Sequence, residues 1–166
     1  MDSASVSSGS GDIFEHLHRD HEYLAKRLHQ LIATAGASDG EFDELKAEIE
    51  GHLGAEEEML YARLEERGMT VAAEGRRQHA AIGTLLGAIN GVPRGTVRRA
   101  AALRELEATV RRHFAYEEST VFAAARRVLA PAEISDLVSR VVVSETDKKA
   151  SAAEPHMLAK EEPHRS

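Results

Sequence analysis

A histidine and glutamate pattern that occurs twice constrains the fold of this 166-residue chain more than any other feature. His52 is followed four residues later by Glu56, and the pair returns 61 residues further on as His113 and Glu117. Residues four apart on an α-helix lie on one face, one turn apart. The similarity continues in the runs MLYA at 59–62 and TVFA at 120–123. Two facing copies would present two imidazoles and two carboxylates to a shared metal centre.

Composition excludes several classes of protein. The chain has no cysteine, so disulfides, thiolate metal sites and thiol catalysis are excluded, and any metal must bind to histidine and carboxylate. A net charge of −7 argues against a nucleic-acid partner, and the four Arg-Arg pairs are interpreted as solvated helix surface. The sequence contains neither a secretory signal in residues 1–11 nor a membrane-length apolar run, which predicts a cytoplasmic protein.

Hydrophobic periodicity and capping signals predict five helices. The first four are expected at about 12–35, 39–67, 71–89 and 96–129. Ser38 with Glu41 has the capping-box arrangement, and Thr70 is expected to cap the third helix. A fifth helix begins at Pro131, and its apolar stripe continues to Val142.

Long helices joined by short loops imply an all-α fold, an up-down-up-down antiparallel four-helix bundle. The fifth helix is expected to pack on this bundle as an additional C-terminal element. Residues 1–11 and 144–166 are polar and are predicted to be disordered. The bundle with its fifth helix would therefore occupy residues 12–143.

Single histidines extend the repeat. His21 precedes His52 by 31 residues, and His79 precedes His113 by 34, so each helical hairpin contributes two histidines and one glutamate. Two carboxylates and four imidazoles facing inward would be costly to desolvate unless a cation were bound. Four terminal histidines and two bridging glutamates describe a dinuclear site.

With this pattern the chain resembles hemerythrin-like proteins of the HHE cation-binding family, over about residues 12–128. The resemblance implies two non-haem iron ions, usually joined by an oxo or hydroxo bridge. It also implies the metal ligands, which are His21, His52, Glu56, His79, His113 and Glu117.

The chain departs from the oxygen-carrying members that it resembles. Those have a second histidine one turn from the third-helix ligand, where this chain has Gly75 and Gly83, and an aspartate five residues after the fourth-helix histidine, where it has Glu118. Two six-coordinate irons have about twelve positions, of which the implied ligands and one bridging oxygen fill about ten. About one open position on each iron favours reaction with a small oxidant over reversible oxygen carriage.

These expectations define a leading function and two alternatives. The leading one is a di-iron protein that binds and reacts with O2, H2O2 or NO in oxidative or nitrosative stress defence, with peroxidase-like or catalase-like activity. The alternatives are a sensor or storage module, whose fifth helix and tail would respond to loss of the metal, and a reversible O2 carrier. No nucleic acid or membrane partner is expected, and the chain is expected to be a monomer or weak dimer.

Other polar residues lie near the implied ligands in the sequence. Tyr116 lies three residues after His113 and is expected either to aim its hydroxyl at the metals or to pack between helices. Glu57 and Glu118 are assigned to the surface or to supporting contacts behind the ligands, and His18 could border the site. The remaining histidines are expected to be exposed or in the tail: His16, His29, His156 and His164.

Overall fold

The computed structural model describes residues 12–34 and 38–140 of the chain. Helix α1 covers Ile13–Ala33, and α3 covers Val71–Asn90. Helix α2 consists of three consecutive segments, Asp39–Glu56, Glu57–Tyr61 and Ala62–Glu66. Helix α4 also consists of three, Val97–Tyr116, Glu117–Val121 and Phe122–Val128. A fifth helix, α5, covers 131–140 of the described part.

The helices form the predicted bundle. Helix α1 packs on α2 and α4, and α3 packs on the same two helices, so the all-α expectation is confirmed. The predicted ends of the four bundle helices agree with the observed ends to within two residues. None of the described helices is long and apolar enough to cross a membrane.

Side-chain caps explain where three of the helices begin. Asp12 accepts a hydrogen bond from the Phe14 amide, and Thr96 accepts one from the Arg99 amide. Ser38 and Glu41 form the complete capping box that the sequence predicts. The prediction for Thr70 is wrong, because its backbone is already helical and its side chain makes no capping hydrogen bond.

Helices α2 and α4 each contain a five-residue π-helical segment, Glu57–Tyr61 and Glu117–Val121. The segment in α2 begins directly after Glu56, and the segment in α4 begins at Glu117. In a π-helical turn the hydrogen bonds span five residues instead of four, so the following side chains are rotated relative to a regular α-helix. The repeat in the sequence is therefore also a repeat of an irregular backbone.

Two apolar clusters fill the bundle on either side of a polar layer. One includes Leu28, Ile49 and Leu106, and the other includes Phe14, Leu64 and Val121. The buried polar layer consists of His21, Glu56, His79, His113 and Glu117. These are residues of the repeat, so the metal site predicted from sequence lies inside the bundle.

The fifth helix packs on the second of these apolar clusters. Leu137 is fully buried there, and Ile134 and Val138 pack beside it. Arg63 pairs with Asp136 at 3.0 Å, and Arg67 pairs with Glu133. Val141, Val142 and the two segments predicted to be disordered lie outside the described residues.

Candidate metal centre

His52 lies at the edge of the polar layer and joins its five residues, so the six predicted ligands lie together. They form two groups, His21, His52, Glu56 and Glu117, and Glu56, His79, His113 and Glu117. The candidate ligand atoms of each group lie within 4.8 Å of one another. Both groups contain Glu56 and Glu117, as two neighbouring metal ions bridged by two carboxylates require. We call the first group the His21/His52 position and the second the His79/His113 position.

The four imidazoles present the same nitrogen to the cluster. Nε2 of His21 lies 3.3 Å from Glu56 Oε1 and 3.1 Å from Glu117 Oε2. Nε2 of His79 lies 2.9 Å from Nε2 of His113. Two ring nitrogens bound to one ion at about 2.1 Å and at right angles would be about 3.0 Å apart. The spacing of these two rings therefore fits a common metal ion.

Each imidazole has a polar neighbour on its outward nitrogen. Glu118 contacts Nδ1 of His21 and Glu57 contacts Nδ1 of His79, both at 2.9 Å. Gln78 contacts Nδ1 of His113 at 3.1 Å, and Asp20 lies 4.0 Å from Nδ1 of His52. Such partners fix the ring orientation and the tautomer of metal-binding histidines. Of the two roles expected for Glu57 and Glu118, a surface position or a supporting contact behind a ligand, both residues have the second.

The cluster also contains buried polar atoms that the described residues leave without a hydrogen bond. Five buried side-chain atoms of the described part have no hydrogen-bond partner, and three of them belong here: His52 Nε2, Glu56 Oε2 and Glu117 Oε2. Buried polar atoms without a partner are rare in folded proteins. The donor set, four imidazoles and two carboxylates without a thiol, together with these atoms, fits a metal-binding site.

Burial and mutual charge shift the protonation of these groups in opposite directions. Burial and the neighbouring Glu56 raise the pKa of Glu117 to about 7. Burial alone would lower the pKa of His21, but the nearby carboxylates of Glu117 and Glu56 outweigh burial and raise that pKa to about 10. Burial and the nearby His79 lower the pKa of His113 to about 3. In the absence of metal, protons therefore reside mainly on the His21 side of the cluster.

Tyr61 also belongs to the cluster, although sequence reasoning did not single it out. Its hydroxyl donates to Glu117 Oε1 and lies 3.3 Å from Nε2 of His79, and its ring stacks on His79. Burial and the two glutamates raise its pKa. Tyr61 ends the π-helical segment of α2, which turns it into the bundle, and a regular helical period does not predict that orientation.

Gly75 provides the space for Tyr61. A Cβ atom added at Gly75 would lie 2.7 Å from Tyr61 Cε2 and closer still to its hydroxyl. Sequence comparison identified Gly75 only as a position where a histidine ligand was missing. The structure places a phenol hydroxyl of α2 in the space beside that position.

Tyr116 does not point at the cluster. Its hydroxyl donates to the backbone carbonyl of Val71 at 3.1 Å, and its ring packs against the second apolar cluster. Three residues along an α-helix change the direction of the side chain by about 300°. Tyr116 therefore does not share the face of His113 and lies on the side of α4 that faces α3. The expectation that Tyr116 aims its hydroxyl at the metals is therefore corrected, and Tyr116 packs between helices.

The other histidines divide between the border of the site and the surface. His18 contacts Glu118 at 3.0 Å and so borders the site through that carboxylate. His29 is exposed, as expected, and contacts Glu107. His16 is less exposed than expected and lies 3.4 Å from Asp20. His156 and His164 lie outside the described residues.

Comparison with known proteins agrees with this geometry. The model of the hemerythrin HHE cation-binding domain matches residues 12–125. The chain belongs to this family. Searches of curated proteins and of solved structures found no match.

Metal uptake at neutral pH should release protons. Ligands must lose their protons to bind a metal ion, and His21, with its pKa raised to about 10, carries one at pH 7. We expect at least one proton per chain to be released when metal-free protein is loaded at pH 7, as measured with a pH indicator in weak buffer. Loading without proton release would contradict the protonation assigned to the His21 side.

Proposed function

We propose that the protein is a cytoplasmic non-haem di-iron protein that reacts with small oxidants or diatomics, O2, H2O2 or NO, in defence against oxidative or nitrosative stress. The observation that carries this proposal is the pair of four-residue groups that share Glu56 and Glu117. Iron is preferred because imidazole and carboxylate ligands without a thiol suit non-haem iron. The iron ions would supply one-electron redox chemistry with small ligands.

The surroundings of the two positions support reaction with small molecules. Phe114 stacks on the His21 ring at 4.0 Å between ring centroids, and Phe122 lies on the same ring at 5.9 Å. These apolar rings cover the His21 ring and supply no ligand atom. A small uncharged molecule that reached the His21/His52 position would therefore meet apolar side chains there.

Tyr61 distinguishes the other position. Its hydroxyl is within contact distance of both His79 and Glu117, so the His79/His113 position has a fifth protein group within reach. There the phenol can serve as an additional ligand or as a hydrogen-bond donor beside a bound oxidant. Either use favours chemistry at the cluster over the simple reversible oxygen carriage of the third alternative.

A sensor or storage function is the second candidate. The fifth helix packs on the same apolar cluster that contains Tyr61 and Phe122, two of the aromatic residues next to the metal positions. A change at the metal positions would therefore reach the packing of the fifth helix through these aromatic residues. This arrangement would couple metal content to the exposure of the C-terminal part of the chain.

Metal analysis combined with turnover tests the proposal. Freshly purified protein should contain two metal ions per chain, predominantly iron, and the loaded protein should consume H2O2 or NO catalytically. A His29→Ala variant should match wild type in both, because His29 is exposed and its polar contact is with Glu107, which does not belong to the cluster. A stoichiometry near one, or zinc alone from iron-replete cells, would overturn the di-iron assignment, whereas two irons without turnover would favour the sensor.

A further inference from the structure

The two metal positions are related by the internal repeat, which allows their surroundings to be compared residue by residue. Residues 58 apart correspond between α1 and α3, as His21 and His79 do. Residues 61 apart correspond between α2 and α4, as Glu56 and Glu117 do. Differences between corresponding residues therefore show how the two positions differ.

A guanidinium clamp lies behind His79. Arg76 Nη1 donates to Glu57 Oε2 at 2.7 Å, while Glu57 Oε1 contacts Nδ1 of His79. Arg76 also donates to the Glu57 carbonyl at 3.1 Å and to both carboxylate oxygens of Glu65 at 2.7 and 3.2 Å. A planar guanidinium with this many acceptors fixes a carboxylate more firmly than a single contact does. Glu57 is therefore held in place against His79.

The corresponding place behind His21 is occupied by a histidine. Glu118 corresponds to Glu57, and His18 corresponds to Arg76. His18 contacts Glu118 at 3.0 Å and Glu22 at 3.8 Å, and its side chain is 51% exposed. One imidazole at the surface therefore replaces the clamp, and Glu118 is held less firmly behind His21.

Three further differences point in the same direction. Gln78 lies 3.1 Å from the outward nitrogen of His113, whereas the corresponding Asp20 lies 4.0 Å from that of His52. The side chain of His52 is 7% exposed, more than that of any other ligand. Tyr61 offers its hydroxyl to the His79/His113 position, whereas the corresponding Phe122 offers none to the other.

We propose that the two metal positions are unequally anchored, so that the His21/His52 position exchanges its ion readily while the Arg76 and Glu57 clamp retains the ion at the His79/His113 position. Arg76 acts as a positioning residue through Glu57 and His79. This inference rests on the proposed dinuclear centre and concerns which of its ions is labile.

Chelation of iron-loaded protein tests the order of release. With an excess of a ferrous chelator and protein loaded anaerobically with ferrous iron, iron should leave in two phases whose rates differ by about tenfold or more, the usual effect of a histidine's supporting partner on metal binding. Anomalous diffraction at the iron edge from half-depleted protein should then locate the remaining iron between His79 and His113. Release in one phase, or iron remaining between His21 and His52, would overturn the proposal.

Variants at the two corresponding positions test the clamp. Arg76→Gln should accelerate only the slow phase by about tenfold, whereas Arg77→Gln, which alters an exposed ion pair with Glu74, should change neither phase. His18→Arg supplies a guanidinium beside Glu118 and should slow the fast phase. If Arg76→Gln behaves like Arg77→Gln, or accelerates both phases equally, the clamp is refuted.

A double variant tests whether Arg76 acts through Glu57. Arg76→Gln combined with Glu57→Ala should release iron no faster than Glu57→Ala alone, because both changes remove the same support. Additive effects would refute this route. Failure of the proposed function would appear differently, as protein that binds no iron or only one ion, whereas two ions released together would refute only the unequal anchoring.

Discussion

Replacing Glu117 with alanine should abolish binding of both metal ions, because its carboxylate belongs to both four-residue groups. The metal-dependent part of the stability should disappear with it. Binding at a thousand times the dissociation constant contributes about 4 kcal/mol, and for a domain of this size that corresponds to about 10 °C in melting temperature. We therefore expect iron to raise the melting temperature of wild type by about this amount and to leave Glu117→Ala unchanged.

The matched control for this variant is its neighbour. Glu118→Ala removes only the partner of the outward His21 nitrogen, so it should weaken binding without abolishing it. Iron content by elemental analysis and melting curves with and without iron measure both effects. Retention of two irons by Glu117→Ala would show that this carboxylate does not bridge the ions.

Gly75→Ala should displace Tyr61 from the cluster and destabilise the protein. The new methyl group would lie 2.7 Å from Tyr61 Cε2, and the ring is fully buried, so the tyrosine can move only by disturbing its neighbours. Overpacking of this kind costs about 1–3 kcal/mol. We expect Tyr61→Phe, which lacks only the phenol oxygen, to change the optical spectrum of the iron-loaded protein, and Gly75→Ala to show the same change.

Gly83 provides the matched control, because it follows His79 by four residues as Gly75 precedes it by four. Among the described residues, and apart from the backbone of its own helix and its two chain neighbours, a Cβ added there would meet no atom within 4 Å. Gly83→Ala should therefore raise the free energy of unfolding by up to about 1 kcal/mol through helix propensity and leave the spectrum unchanged. Denaturant unfolding and absorption spectroscopy compare the two variants, and equal behaviour would show that Gly75 does not make room for Tyr61.

The sequence was sufficient to predict the bundle and the residues that meet at its centre. The helix ends followed from local signals such as the capping box of Ser38 and Glu41, and the cluster followed from a spacing of four residues that repeats. Both signals depend on regular helical geometry, which holds up to Glu56 in α2 and up to Tyr116 in α4.

The sequence did not predict how Tyr61 and Tyr116 are oriented. The π-helical segment of α2 rotates Tyr61 into the cluster. Tyr116 lies in regular helix, about 60° from the face of His113, and does not reach the cluster. The adjacent apolar residues Leu60 and Tyr61, matched by Val121 and Phe122, were the signal available in the sequence, because neighbouring residues seldom share one face of a regular helix. The role of Gly75 depends on a contact between two helices and leaves no local signal.

The shared glutamates have a consequence for how the folded chain comes apart. Each hairpin supplies both histidines of one position and lends its glutamate to the other, so a loaded centre is a cross-link between residues 61 apart in a chain without cysteine. A cross-link restricts the unfolded chain only while its bonds persist, as a disulfide does. Coordination bonds persist only while the ligands remain in place, so separation of the hairpins would release every ion that is still bound.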